Sequence, residues 1–275
     1  MFFKRVAKKP QVGIRADGIL ITALLAAIAT LGVLFVVFVP TLYDRTRIDP
    51  VTLCSDDRLI HHTVIVIDTS DPLSAGQADA MASVLRDVRD GLLAGQRLSV
   101  FRLDGSAGAG LSKPLFSKCK PKLGREANWL MENAAFLQNR YLAAFVRPLE
   151  DVIAAETASN VHEERSPIAE AISDVPYQDG FSRRVASRKL IVFSDMLQHS
   201  SVADHYAIRS AMITQRQEEN LKRALADLTD VDVEVFYILR DPSKGGVFQG
   251  ENHLFLWRSY FQAAHVRSLS IKELR

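Results

Sequence analysis

The amino-acid sequence predicts an α/β protein whose mostly parallel sheet carries helices on both faces, preceded by one N-terminal transmembrane helix. Three observations lead to this fold class. Residues 18–40 form a run of 23 residues that contains no charged side chain. The segments 63–67, 189–193 and 231–239 are rich in Val and Ile, which is typical of buried parallel strands. Segments with helical periodicity lie between them, and alternating strands and helices build a sheet covered on both faces.

The uncharged run at 18–40 is long enough to cross a membrane. At about 1.5 Å per residue it spans roughly 34 Å as a helix, and the hydrocarbon core of a bilayer is about 30 Å thick. A cleavable signal peptide has a shorter apolar stretch and a small-residue cleavage site, and the residues after Pro40 offer no such site. A buried core helix is the alternative, but such helices are rarely apolar on every side. We therefore expect a retained anchor.

Charge is distributed unevenly around this anchor. Residues 1–17 carry five basic side chains and one acidic one, and the whole chain has a formal charge of +2. The positive-inside rule then places the N-terminus in the cytoplasm and the main domain across the cell membrane, in the periplasm. Residues 41–275 have a net charge of only −2. This charge does not favour a basic surface that binds the phosphate backbone of a nucleic acid, so we expect no nucleic-acid partner.

These patterns divide the chain into four segments. They are a basic cytoplasmic tail at 1–17, the transmembrane helix at 18–40, a polar connector at 41–58 and an α/β domain at 59–275. Within the domain, helical spacing predicts helices at 76–92, 128–158 (divided by Pro148), 206–228 and 254–264, and a further helix capped by Ser166. A hairpin of 97–103 and 115–119 and a last strand at 266–271 complete the expected elements.

Oxygen-bearing side chains follow the predicted strands. Asp68, Ser70 and Asp71 come after the first strand, Ser166 lies at a helix start, and Asp195 follows the central strand. In open α/β sheets, ligands bind at the carboxyl ends of the strands. Carboxylates and hydroxyls are hard oxygen ligands, which suit Mg²⁺, Mn²⁺ or Ca²⁺ and not zinc. These five residues are therefore candidate ligands of Mg²⁺ or another divalent cation.

The order of these segments resembles the von Willebrand factor A-type (vWA) domains. Their metal-ion-dependent adhesion site combines D-x-S-x-S after the first strand, a Thr in a loop before a helix, and an Asp after the central strand. This chain has DTSDP at 68–72, SPIAEA at 166–171 and VFSDM at 192–196. The resemblance covers residues 60–270 and implies a vWA/Rossmann-like fold.

The match to the metal site is degenerate. Asp68, Ser70 and Asp195 occupy family positions, and Ser166 stands where Thr is usual. Pro72 fills the third position of the first loop and cannot ligate, so Asp71 is the candidate substitute. In the alternative interpretation, the two matching aspartates bind no metal. They then cap helix N-termini and satisfy loop amides.

Two functions from different classes fit this pattern. In the first, a membrane-anchored vWA-like module docks a partner protein at the carboxyl edge of its sheet, with or without a divalent cation, and does no chemistry. In the second, an envelope hydrolase of phosphatase type uses Asp68. The first is favoured, because the sequence places no general base beside a nucleophile.

Cys54 and Cys119 both lie in the part expected outside the cytoplasm. An even number of cysteines in an oxidising compartment favours a disulfide, although two unrelated buried thiols are the alternative. In a vWA-like topology the arm that ends at Cys119 lies at the sheet edge, and the connector with Cys54 passes an outer part of the sheet. The resemblance therefore implies a Cys54–Cys119 bridge.

Overall fold

The structure, a computed structural model of the chain, describes residues 14–42, 48–55, 59–105, 110–206 and 215–274. Parts of the predicted tail (1–13) and connector (43–47 and 56–58) lie outside these ranges. The chain forms two compact units, Met1–Arg47 and Ile48–Arg275.

The first unit contains helix α1, Ile14–Leu42. Its residues 18 and 20–36 are exposed, including large apolar side chains such as Leu20 and Phe35. Within the part of the chain that the structure describes, no helix is both long and apolar enough to cross a membrane.

The second unit is built on a six-stranded sheet with the order β3-β2-β1-β4-β5-β6. Neighbouring strands are parallel except for the edge strand β3, which runs antiparallel to β2. The strands are β1 His61–Ile67, β2 Arg97–Arg102, β3 Phe116–Cys119, β4 Ser187–Ser194, β5 Val231–Ile238 and β6 Ser268–Leu274. The predicted mostly parallel α/β sheet is confirmed.

Helices cover both faces of this sheet. They are α2 Ala75–Gly91, α3 Ala134–Tyr141, α4 Arg147–Thr157, α5 Ile168–Asp174, α6 Gln215–Leu221 and α7 Glu251–Ala263. Successive side chains of a strand point to opposite faces, so β1 supplies Val64 and Val66 to one core and Ile65 and Ile67 to the other. The first core includes Trp257 of α7. Burial on both faces explains why the central strands are almost continuously apolar.

The helix predicted at 128–158 is shorter and interrupted. It begins at Ala134, because the Asn133 side chain accepts a hydrogen bond from the Phe136 amide and caps it there. A π-helical turn, Leu142–Val146, separates α3 from α4. Pro148 is the second residue of α4, and since proline has no N–H to donate, the regular hydrogen-bond ladder cannot continue through it.

The helix predicted at 206–228 also differs from the observed one. Within the described residues α6 is Gln215–Leu221, and it ends at a 3₁₀ turn, Lys222–Ala224, before the predicted end at 228. Residues 207–214 of the predicted helix lie outside the described residues.

The disulfide predicted between Cys54 and Cys119 is confirmed. Cys119 ends the edge strand β3, and its amide donates to the carbonyl of Thr52 at 2.8 Å. The C-terminal part of the connector is therefore fastened covalently and by a backbone hydrogen bond to one edge of the sheet.

Candidate functional site

Asp68 lies at the carboxyl end of β1 and is only 1% exposed. Its Oδ1 accepts from the backbone N–H of Ser70 at 3.1 Å. Its Oδ2 accepts from the hydroxyl of Ser166 at 3.1 Å and from the hydroxyl of Ser194 at 2.7 Å. One buried carboxylate thus joins the loop after β1, the segment before α5 and the end of β4.

Asp195 follows β4 at the same edge and forms a buried ion pair with Arg240. Nε of Arg240 lies 2.7 Å from Oδ2 of Asp195, and the two side chains are 5% and 2% exposed. The other carboxylate oxygen, Oδ1, accepts from the Leu197 amide at 2.9 Å. Both oxygens of Asp195 therefore have donors from the chain itself.

The Arg240 guanidinium also binds the first loop. Nη1 donates to the carbonyl of Pro72 at 3.0 Å, and Nη2 approaches the carbonyl of Asp71 at 3.4 Å. One side chain that follows β5 thereby connects the loop after β1 with the loop after β4. Charge-assisted hydrogen bonds of this kind are about twice as strong as neutral ones.

The side chain of Gln249 holds the backbone around Arg240 in place by hydrogen bonds. Its Oε1 accepts from the Arg240 amide at 2.8 Å, and its Nε2 donates to the carbonyls of Asp195 at 3.0 Å and Ile238 at 2.8 Å. The loop after β5 is also packed closely on itself, because a Cβ added to Gly246 would lie 2.2 Å from the carbonyl oxygen of Arg240.

The electrostatics of Asp195 reflect its burial. Desolvation raises the pKa of Asp195 to about 6, the charge of Asp68 adds to the rise, and the guanidinium of Arg240 opposes it. Burial by itself lowers the pKa of Arg240, but the carboxylates of Asp195, Asp68 and Asp71 outweigh this effect and raise it. The guanidinium therefore lies in the field of all three acidic side chains.

The residue after Asp195 has a strained backbone. Met196 has φ +60°, a left-handed conformation that non-glycine residues adopt at a cost. Its carbonyl accepts from Nε2 of His253 at 3.0 Å and from Nε1 of Trp257 at 2.9 Å, both on α7. This strained turn is held in place by buried donors.

A second histidine, His205, is buried beside His253. Nδ1 of His205 accepts from the Gln198 amide at 3.2 Å, so its proton resides on Nε2. Among the described residues, this Nε2 is the one buried side-chain nitrogen or oxygen without a hydrogen-bond partner. Burial lowers the pKa of His205 to about 3 and that of His253 to about 4, which keeps both rings neutral near pH 7.

A cavity of about 850 Å³ opens at this edge of the sheet. Its described lining comes from the loop after β1, the segment before α5, the loop after β4 and the loop after β5, and it includes Ser70, Asp71 and Ser166 but neither Asp68 nor Asp195. Acidic, basic and apolar side chains all contribute, among them Glu163, Glu164, Lys244, Val247 and Phe248.

The five predicted metal ligands differ in the partners that their side chains bind in the structure. Asp68, Ser70 and Ser166 are linked by hydrogen bonds, although Ser70 contributes its amide, and Asp195 is bound to Arg240. The carboxylate of Asp71 pairs with the ring of His162, with 2.6 Å between Oδ1 and Nδ1.

The expected capping role of Ser166 is wrong. α5 begins at Ile168 with Pro167 at its N-cap, and the Ser166 hydroxyl donates to Asp68 instead of accepting from the helix.

The residues at this edge do not fit a divalent cation. A guanidinium already lies against Asp195, Pro72 offers its carbonyl to that guanidinium, and Asp71 is bound to His162. Among the residues that the structure describes, no group of three or more His, Cys, Asp or Glu side chains is arranged to hold a metal ion. The alternative interpretation, in which Asp68 and Asp195 satisfy loop amides, agrees with their bonds to Ser70 and Leu197.

Sequence reasoning missed Ser194, Arg240 and Gln249. Arg240 follows β5 by two residues, so the rule that drew attention to the residues after β1 and β4 applies to it equally. Ser194 lies directly before Asp195, within the segment already compared with the family motif.

The sheet order and the antiparallel edge strand define a mostly parallel α/β domain, and Asp68 and Asp195 lie at the carboxyl edge of its sheet. No protein-family model matches the chain, and no curated protein matches its sequence. The solved structures that are similar to it include the following two. One is an aerotolerance-related membrane protein from Bacteroides fragilis, with 12% identity, a TM-score of 0.38, and coverage of 77% of this chain and 90% of that one. The other is the SpRpn10 VWA domain, with 9% identity, a TM-score of 0.35, and coverage of 79% and 90%.

The close packing at Gly246 leads to a prediction. In Gly246→Ala, the new Cβ must displace the backbone of Arg240 and Asp241, so we expect a loss of about 1–3 kcal/mol in the free energy of unfolding. Gly250→Ala is the matched control, because nothing lies within 4 Å of the added Cβ and the backbone there is extended. Urea unfolding measures both variants. Equal stability of the two would contradict the described position of the Arg240 loop.

Proposed function

We propose that this protein is a single-pass, membrane-anchored vWA-type module that docks a partner protein at the carboxyl edge of its sheet. Residues 18–40 provide the anchor, the basic tail lies in the cytoplasm, and the domain lies outside it. The docking module has no catalytic role. The N-terminal segment anchors the protein, and the loops at the carboxyl edge of the sheet recognise the partner.

Four observations support the anchor and its orientation. The run at 18–40 is uncharged, it lies within the helix Ile14–Leu42, and its described side chains are exposed. Moving exposed apolar side chains out of water is favourable by about 25 cal/mol of free energy per Å² of apolar surface. The Cys54–Cys119 disulfide suits an oxidising compartment on the far side of the membrane.

The cavity at the carboxyl edge carries the docking proposal. Val247 is 58% exposed there, and Phe248 and Tyr206 form an edge-to-face aromatic pair beside it. Charged side chains of both signs, including Glu164 and Lys244, line the same cavity. An apolar patch with a polar surround is the usual composition of a protein-binding surface. The partner docks with or without a divalent cation, although the residues described do not favour one.

The hydrolase alternative has weaker support. A nucleophilic carboxylate must reach its substrate, but Asp68 is almost fully buried and its two oxygens already accept three hydrogen bonds. Asp68 is also absent from the described lining of the cavity, so a substrate bound there does not meet the nucleophile that this alternative requires.

The orientation is tested with the protein in its native membrane. Protease added to intact spheroplasts should digest the domain at 59–275 and leave a protected fragment that contains residues 18–40. Non-reducing mass spectrometry of the same membranes should recover Cys54 linked to Cys119 in untreated cells. A domain that is fully protected until the membrane is permeabilised, with both thiols free, would contradict the proposed orientation.

Docking is tested with a photo-crosslinking amino acid placed at single positions in the full-length protein. At Val247, in the cavity, we expect one defined crosslinked product in native membranes. At Ile60, which is 71% exposed and lies just before β1 at the opposite edge, we expect none. Introducing Lys244→Glu into the Val247 crosslinking protein should weaken the product. Equal crosslinking from Val247 and Ile60 would show that the cavity is not the docking site.

A further inference from the structure

We infer that Arg240 takes the place of a divalent cation at this site, so that the loops of the carboxyl edge are joined by a guanidinium built into the chain. The edge then holds its geometry without any metal. This inference concerns the site itself and does not depend on which partner docks there.

The contacts of the guanidinium carry the inference. It reaches the loop after β4 through Asp195, and it reaches the loop after β1 through the carbonyls of Pro72 and Asp71. In the vWA metal site that the residues at this edge resemble, a cation lies between the same two loops. Arg240 makes these connections from a third loop, the one after β5, and its side chain is 5% exposed, so solvent screens them little.

The departure from the family motif at Pro72 is complementary to Arg240. Pro72 stands at the position of the third first-loop ligand, where its ring offers no oxygen, and its carbonyl instead accepts from Nη1 of Arg240 at 3.0 Å. The position that lost a metal ligand thus supplies an acceptor to the arginine. Proline at 72 and arginine at 240 are explained together, whereas a bare cation site explains neither.

The remaining oxygens also have partners from the chain. The Asp68 carboxylate is satisfied by two hydroxyls and an amide, and the Asp71 side chain is bound to His162. Because a guanidinium is charged at every physiological pH, its attraction for Asp195 does not depend on the supply of an ion. A divalent cation placed beside it would be repelled by that charge.

Metal dependence of thermal stability tests the inference on the full-length protein in detergent. A ligand that binds only the folded state raises the melting temperature, so a functional cation site must respond to its ion. For the wild type we expect the same melting temperature in EDTA and in millimolar Mg²⁺, Mn²⁺ or Ca²⁺. An increase with any of these ions, or a decrease in EDTA, would overturn the inference.

Arg240→Ala provides the complementary result. Removing one partner of a buried ion pair leaves the other charge uncompensated, so we expect the melting temperature to fall by roughly 6 °C or more. Divalent cations should then recover part of the loss, since Asp68 and Asp195 are left without a positive charge. A variant as stable as the wild type would contradict the role of Arg240.

Two further variants keep the test decisive. Arg267→Ala removes an arginine from an ion pair with Asp232 in which both side chains are substantially exposed, and we expect little loss and no metal response. If Arg240→Ala fails to fold, Arg240→Lys retains the charge but not the planar contacts to the first loop. It should lower the melting temperature by a smaller amount and remain unresponsive to metal, and a metal response in this variant would overturn the inference.

Discussion

The carboxyl edge of this sheet depends on the burial of two carboxylates, Asp68 and Asp195. A buried charge is costly unless it is paired and hydrogen-bonded. The chain meets this requirement in two different ways. Asp68 is surrounded by neutral donors, the hydroxyls of Ser166 and Ser194 and the amide of Ser70. Asp195 receives the positive charge of Arg240.

The surrounding loops are organised by this requirement. The donors come from four segments, so satisfying the two carboxylates brings together the chain after β1, before α5, at the end of β4 and after β5. The strained turn at Met196 persists because buried donors on α7 hold its carbonyl. The cavity is lined by the outer residues of the same segments. The shape offered to a partner therefore follows from the electrostatics beneath it.

The sheet could be predicted from the sequence because its central strands are buried on both faces, which leaves nearly continuous runs of Val and Ile. Asp68 and Asp195 could be predicted by the same logic, since they follow two of these strands. The start of α3 could not, because it depends on a side-chain cap by Asn133 that competes with the helical periodicity of the residues before it. Ser166 was placed correctly but given the wrong hydrogen bond, since its partner is 98 residues away in sequence.

Arg240 could not be predicted from the family motif, because the motif ends with the aspartate after the central strand. Its role depends on a distance between two loops that only the folded chain reveals.

The most direct test of the pairing between Arg240 and Asp195 is a double-mutant cycle with Asp195→Asn and Arg240→Gln. The free energy of unfolding is measured for the wild type, both single variants and the double variant. We predict a coupling energy of about 3 kcal/mol between the two positions, with the double variant more stable than the sum of the single losses requires. Additivity of the two losses to within about 0.5 kcal/mol would contradict a buried ion pair at this edge.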